Sequence, residues 1–181
     1  LVAEGPGRLR AAAAAGVALE LGPVSALVST GFCGGLDPVL KVGDVFVADD
    51  VMGEGDSHWA ARAAGVGCGT APSGRLLSRD RVVISADEKS ALYRTLGARA
   101  VEMEAAAVAQ AAQDEGVPFY CVRVVSDSAT DTLPLDFNLY RSASGRFSRG
   151  RIIGAALARP WSFRGLMRLN ADSSAAPADP C

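Results

Sequence analysis

The sequence predicts an α/β fold with a mixed central sheet flanked by helices. Short apolar or β-branched runs at Val24–Val28, Val45–Val51 and Pro118–Val125 alternate with helix-prone stretches at Arg8–Leu21, Asp87–Leu96 and Glu104–Glu115, the alternation expected when helices cover a largely parallel or mixed sheet. Glycine and proline mark the joins between them. With 181 residues, 49% hydrophobic and 21% charged, the chain has the length and balance of one globular domain able to bury a substantial core. We expect that domain over 1–171, followed by a frayed Ser/Ala/Pro-rich tail over 172–181.

Gly5-Pro6-Gly7 leads into the first helix, Arg8–Leu21, whose alanines and leucines favour helix until Gly22-Pro23 ends it. Val24–Val28 reads as a buried strand. It runs into Ser29-Thr30-Gly31-Phe32-Cys33-Gly34-Gly35, read as a glycine-rich turn. Lys41-Val42-Gly43-Asp44 turns the chain into the strand Val45–Val51. From Met52 to Ser73 no periodicity is visible, which reads as a long loop. Arg75–Ile84 follows as a strand or strand pair, and Asp87–Leu96 as a helix whose first acidic residues suit its dipole. The helix Glu104–Glu115 is closed by Gly116, where a left-handed cap is wanted. Pro118–Val125 is apolar apart from Arg123, the signature of a central strand. A last helical pattern spans Arg146–Leu157 and stops before Pro160.

A net charge of −2 argues against nucleic acid as a partner, since no basic face offsets phosphate repulsion. Arg141, Arg146, Arg149, Arg151, Arg159, Arg164 and Arg168 stand singly among apolar residues and read as a solvated helix face. Cys33, Cys68, Cys121 and Cys181 form no CxxC pair and have no histidine at ligand spacing, so no metal is expected. Cys121, inside an apolar strand, suits a reducing compartment. No signal peptide and no run long enough to cross a bilayer is visible, and the cytoplasm is the expected location. The chain starts at Leu1 without a methionine, so we expect an N-terminal portion to lie outside it.

Three acids in apolar surroundings draw attention, because burying a charge costs solvation energy unless it has a partner or a task. Glu102 and Glu104 stand at i and i+2 and cannot share one helix face, so one is expected to meet a structural partner and the other a ligand. A carboxylate can accept hydrogen bonds from two adjacent hydroxyls, as on a ribose, a task suited to Glu104. Favouring a helix N-terminus would explain both acids equally well. Asp127 leaves an apolar strand, where partial burial would let a carboxyl donate a proton; a turn role explains it too. Arg123 needs a carboxylate if buried, and Glu102 is the candidate, as a structural pair. The Gly31–Gly35 stretch would let backbone N–H groups approach an anion, or be a tight turn. It matches neither GxGxxG nor a phosphate loop, which disfavours a nicotinamide-dependent dehydrogenase. His58, the one histidine, reads as a loop residue, and without GxSxG a serine hydrolase loses its support.

In order, Ser29-Thr30-Gly31 through Gly34-Gly35-Leu36, Leu40-Lys41-Val42-Gly43-Asp44-Val45, Val101-Glu102-Met103-Glu104-Ala105, and Val122-Arg123 through Ser126-Asp127 resemble the nucleoside phosphorylase and nucleosidase superfamily, whose members have the purine and uridine phosphorylase-like fold. Within it the chain is most similar to methylthioadenosine/S-adenosylhomocysteine nucleosidases and hopanoid-associated phosphorylases; Leu36-Asp37-Pro38 and Ala158-Arg159-Pro160 through Leu169 lean to the latter. The resemblance implies cleavage of the N-glycosidic bond of a purine nucleoside or nucleoside-like adduct, with water or phosphate as acceptor and no other cofactor. The alternative is a catalytically impaired homologue that binds nucleosides or only assembles with partners. It further implies that Glu104 binds ribose hydroxyls with Met103 under the sugar, that Asp127 protonates or hydrogen-bonds the departing base with help from Ser126, and that Phe32, Cys33 and Gly34 line the side of attack. A transition state with oxocarbenium character needs that support on sugar and leaving group. Val82-Val83 stands where related nucleosidases carry a Phe-Ile pair beside the base, leaving the backbone there for a purine. The glycine stretch lacks the arginine of several phosphorylases, and the glycine-ended strand with which the family begins has no counterpart. A homo-oligomer is implied by analogy.

Overall fold

The computed structural model describes residue 2 and residues 7–62 and 71–140. Its elements in chain order are α1 (Arg8–Glu20), β1 (Leu27–Gly35), β2 (Val45–Met52), β3 (His58–Ala60), β4 (Ser73–Ser78), α2 (Ala86–Leu96), β5 (Ala100–Glu102), α3 (Ala105–Asp114) and β6 (Phe119–Asp127). Single 3₁₀ turns lie at Glu54–Asp56 and Phe137–Tyr140. The expected helix at Arg146–Leu157, the C-terminal arginines, Cys68, Cys181 and the tail lie outside the described residues.

The six strands form one mixed sheet in the order β3-β2-β4-β5-β1-β6, and β2 also pairs antiparallel with β6, so the pairing closes on itself. β1 runs parallel to β6 from Leu27 opposite Phe119 to Gly34 opposite Asp127, with an irregularity at Cys33/Gly34. On its other side β1 meets β5 only at Gly34 and Gly35, among the described residues. β6 has a partner on both sides, as its apolar composition predicts.

Alanine makes the packing between layers close. Ala105, Ala106, Ala109 and Ala112 of α3 are buried against Phe46, Val51, Leu76, Cys121 and Val125 of the sheet, where small side chains let helix and sheet approach at interior density. α1 lies against α3 and buries Ala11 and Ala15, one turn apart on one face. A second cluster joins Leu92 of α2 to Leu36, Leu77, Val83 and Val101. Ser85 caps α2 by accepting from the Glu88 N–H at 3.2 Å, and Gly97 ends it in the left-handed conformation at φ 63°. Gly116, at φ 66°, does the same after α3. No helix among the described residues is long and apolar enough to cross a membrane.

Three expectations are corrected. The glycine stretch is not a turn: β1 begins at Leu27 rather than Val24 and carries Gly31–Gly35 as extended strand, because the ladder to β6 continues through it. Met52–Ser73 is not loop throughout, since His58 lies on β3 and pairs opposite Met52. Glu104 precedes α3 instead of opening it, and Glu102 ends β5.

Candidate active site

The C-terminal residues of β1 and β6 and the adjoining antiparallel β5 meet α1 around a cavity of about 1190 Å³, somewhat roomier than a typical small-molecule site. Phe32, Cys33, Gly34, Val82, Val83, Glu102, Met103, Glu104, Ser126 and Asp127 all line it. Every site residue expected from sequence is thus brought to one place. His58 is not part of it: its Nδ1 lies 3.1 Å from Asp50 Oδ1 on the exposed sheet edge, and Arg75 Nε donates to the same carboxylate at 2.6 Å.

Glu102 and Arg123 are the pair the sequence suggests. Arg123 Nη2 donates to Glu102 Oε2 at 2.8 Å and to Ser29 Oγ at 2.7 Å. The Glu102 carboxylate also accepts from the Glu104 N–H at 2.8 Å and the Ala105 N–H at 2.9 Å. It therefore caps α3 in place of a conventional capping residue, satisfying N–H groups that have no partner within the helix. Burial works against the Arg123 charge, but the Glu102 carboxylate outweighs it and holds the guanidinium above its ordinary value.

Glu104 finds a different partner, although neither acid lies within a helix, where i and i+2 spacing would separate their faces. Its Oε1 accepts from the Gly7 N–H at 2.7 Å, tying the start of α1 to the cavity. Burial, and then the nearby Glu102 charge, push its carboxyl up to about 7. Met103 is buried between the two acids in sequence and on the cavity wall.

Asp127, the last residue of β6, is 7% exposed. Its Oδ1 lies 2.7 Å from Ser126 Oγ, which is also 3.1 Å from the Cys33 carbonyl oxygen; one hydroxyl proton serves one of these at a time. Its Oδ2 accepts from Lys89 Nζ at 2.5 Å. The glycines opposite make room for it. A Cβ at Gly34 would stand 3.0 Å from Asp127 Oδ2, and one at Gly35 3.2 Å from its carbonyl oxygen. Cys33 is buried, and burial pushes its thiol up to about 12, so it meets the cavity as a neutral small group rather than a nucleophile.

Lys89 is the residue sequence reasoning missed. In Ser85-Ala86-Asp87-Glu88-Lys89 it reads as one more charge on a solvated helix, and no local pattern marks it. The reading of Val82 changes as well: its N–H donates to Asn138 Oδ1 at 2.8 Å and its carbonyl accepts from Asn138 Nδ2 at 3.0 Å. Its backbone N–H is thus engaged by Asn138, while its carbonyl keeps a second lone pair. Beside it Arg81 pairs with Glu88 at the cavity rim.

The family model described as the phosphorylase superfamily matches residues 1–71 and 60–147. The chain is similar to the 5'-methylthioadenosine/S-adenosylhomocysteine nucleosidase of Staphylococcus aureus (strain JH9), at 30% identity over 166 residues, covering 75% of this chain and 71% of that protein. Among solved structures, the corresponding nucleosidase from Neisseria meningitidis, in complex with methylthio-immucillin-A, superposes with a TM-score of 0.62 at 28% identity, covering 70% of this chain and 67% of that one. The futalosine hydrolase of Helicobacter pylori strain 26695 has a TM-score of 0.63 at 24% identity, over 70% of this chain and 65% of its own, a likeness of fold.

Proposed function

The chain belongs to the phosphorylase superfamily, and on that premise we propose that it cleaves the N-glycosidic bond of a purine nucleoside or nucleoside-like adduct, passing the sugar to water or phosphate. The observation that carries the reading is the placement of two carboxylates with different surroundings on one cavity, Glu104 and Asp127. The names of the relatives agree with it: both the S. aureus and the N. meningitidis proteins are nucleosidases.

In this reading Glu104 accepts hydrogen bonds from the ribose hydroxyls through the carboxylate oxygen that Gly7 does not use, and Met103 packs under the sugar. As the glycosidic bond stretches, positive charge grows on the sugar and negative charge on the base. The Glu104 carboxylate offsets the first. Asp127 meets the second by hydrogen-bonding or protonating the departing base, its Oδ1 held by Ser126. Phe32, Cys33 and Gly34 border the face from which the acceptor attacks. We extend the reading to a homo-oligomer acting in the cytoplasm.

Base release from a panel of purine nucleosides, with and without phosphate, tests the proposal. Release from at least one nucleoside is expected, and its dependence on phosphate separates phosphorolysis from hydrolysis. Saturable nucleoside binding with no release would overturn the enzymatic reading in favour of a binding homologue.

A further inference from the structure

Lys89 sits in the first turns of α2 and is 0% exposed, yet it is not on the wall of the cavity. An ammonium has three N–H donors. Here they go to Asp127 Oδ2 at 2.5 Å, the Ser128 carbonyl at 2.7 Å and the Asp131 carbonyl at 3.0 Å. No donor is left for a ligand. Removing a lysine from water is costly unless its charge and its donors are matched, and both are matched at the exit of β6.

The same contacts restrain Asp127. Lys89 holds Oδ2, Ser126 lies against Oδ1, and β1 passes close by at Gly34, where a Cβ would stand 3.0 Å from Oδ2. The two lysine bonds to Ser128 and Asp131 also fix the turn that follows, so the carboxylate and the chain carrying it are pinned by one side chain.

Resting on the proposed glycosidic cleavage with Asp127 at the leaving base, we propose that Lys89 is a positioning residue: it fixes Oδ2 and thereby the orientation of the Asp127 carboxyl group, without touching the substrate. Loss of Lys89 frees Oδ2 to swing away from the base. The ribose contacts at Glu104 lie on another element and are unaffected. The step that needs Asp127 therefore slows, while affinity for the nucleoside stays.

The test is to measure kcat and KM for base release in the wild type, Lys89→Met, Lys89→Arg, Asp127→Asn and the Lys89→Met/Asp127→Asn double variant. Misplacing a reacting group by an ångström costs about 10²-fold, so Lys89→Met is expected to lower kcat by about that factor with KM within about threefold. Lys89→Arg, which keeps a charged donor, recovers about tenfold of that loss. The double variant matches Asp127→Asn within about threefold, because a residue acting only through Asp127 has nothing left to act through. If Lys89→Met fails to fold, the double variant, in which neither charge is left unpaired, decides against Asp127→Asn: a large further loss overturns the proposal. Lys89→Met with the kcat of the wild type, or with a change in KM alone, overturns it and leaves the glycosidic reading standing. A wild type that releases no base from any nucleoside defeats that reading, and the role of Lys89 falls with it.

Discussion

The Arg123 guanidinium lies 2.8 Å from the Glu102 carboxylate, and each side chain is 1% exposed. Two charges so far from water are stable only as a pair. Replacing Arg123 with Met leaves the carboxylate alone and should cost ~3 to 5 kcal/mol. The double variant Arg123→Met/Glu102→Gln should recover part of that loss, because no charge is stranded. Urea unfolding of the wild type, Arg123→Met and the double variant checks both statements, and a double variant no more stable than Arg123→Met would sink them.

Asp127→Asn keeps the shape at the exit of β6 and removes the acid. A positioned acid or base contributes about 10² to 10⁴-fold, so turnover in the nucleoside assay is expected to fall by that factor, measured at a temperature where circular dichroism shows the variant folded, because the buried Lys89 is left without its charge partner and lowers stability. Undiminished turnover would take Asp127 out of the chemistry.

Gly34→Ala should act on the same residue from the opposite strand. Its Cβ would stand 3.0 Å from Asp127 Oδ2, and Lys89 and Ser126 leave that carboxylate little freedom to yield. We expect about a tenfold or greater fall in kcat from the displaced carboxylate, together with a lower thermal midpoint from the overpacked contact. A substitution that lowers stability and spares kcat would contradict it.

Glu104 makes stability depend on pH. Its folded-state value of about 7 exceeds the ordinary 4.5, so between these limits the folded chain keeps a proton that the unfolded chain has released. The resulting stabilisation is complete below the unfolded value and is lost as pH rises through the folded one. Relative to Glu104→Gln, the wild type should lose ~1 to 3 kcal/mol on going from acid to mildly alkaline buffer. Equal pH profiles for the two proteins would refute it.

Much of this was legible beforehand because it depends on residues close in sequence or on spacing within one element. Glu102 and Glu104 do meet different partners, though from a strand end and a helix cap and not from within one helix as their spacing suggested, and an arginine inside an apolar strand demands an acid. What stayed hidden depends on distant contacts. Lys89 is buried only because the end of β6, 38 positions further on, supplies the acceptors that it needs. The glycines of β1 looked like a turn because glycine marks turns more often than it marks room for a neighbour's carboxylate. The edge strand at His58 is three residues long and carries no alternation to read. Asn138, which bonds to the backbone of Val82, lies 56 positions away.

One strand of the sheet also has a consequence for what can pair with it. β1 is bonded to β6 along its length but to β5 only at its last two residues, among the described residues, and Val28 and Phe32 upon it are 56% and 54% exposed. A row of unbonded amides beside large apolar side chains is a template for another extended chain. A further extended segment placed on that side would pair with β1 there, and a lysine at position 28 would disfavour such pairing.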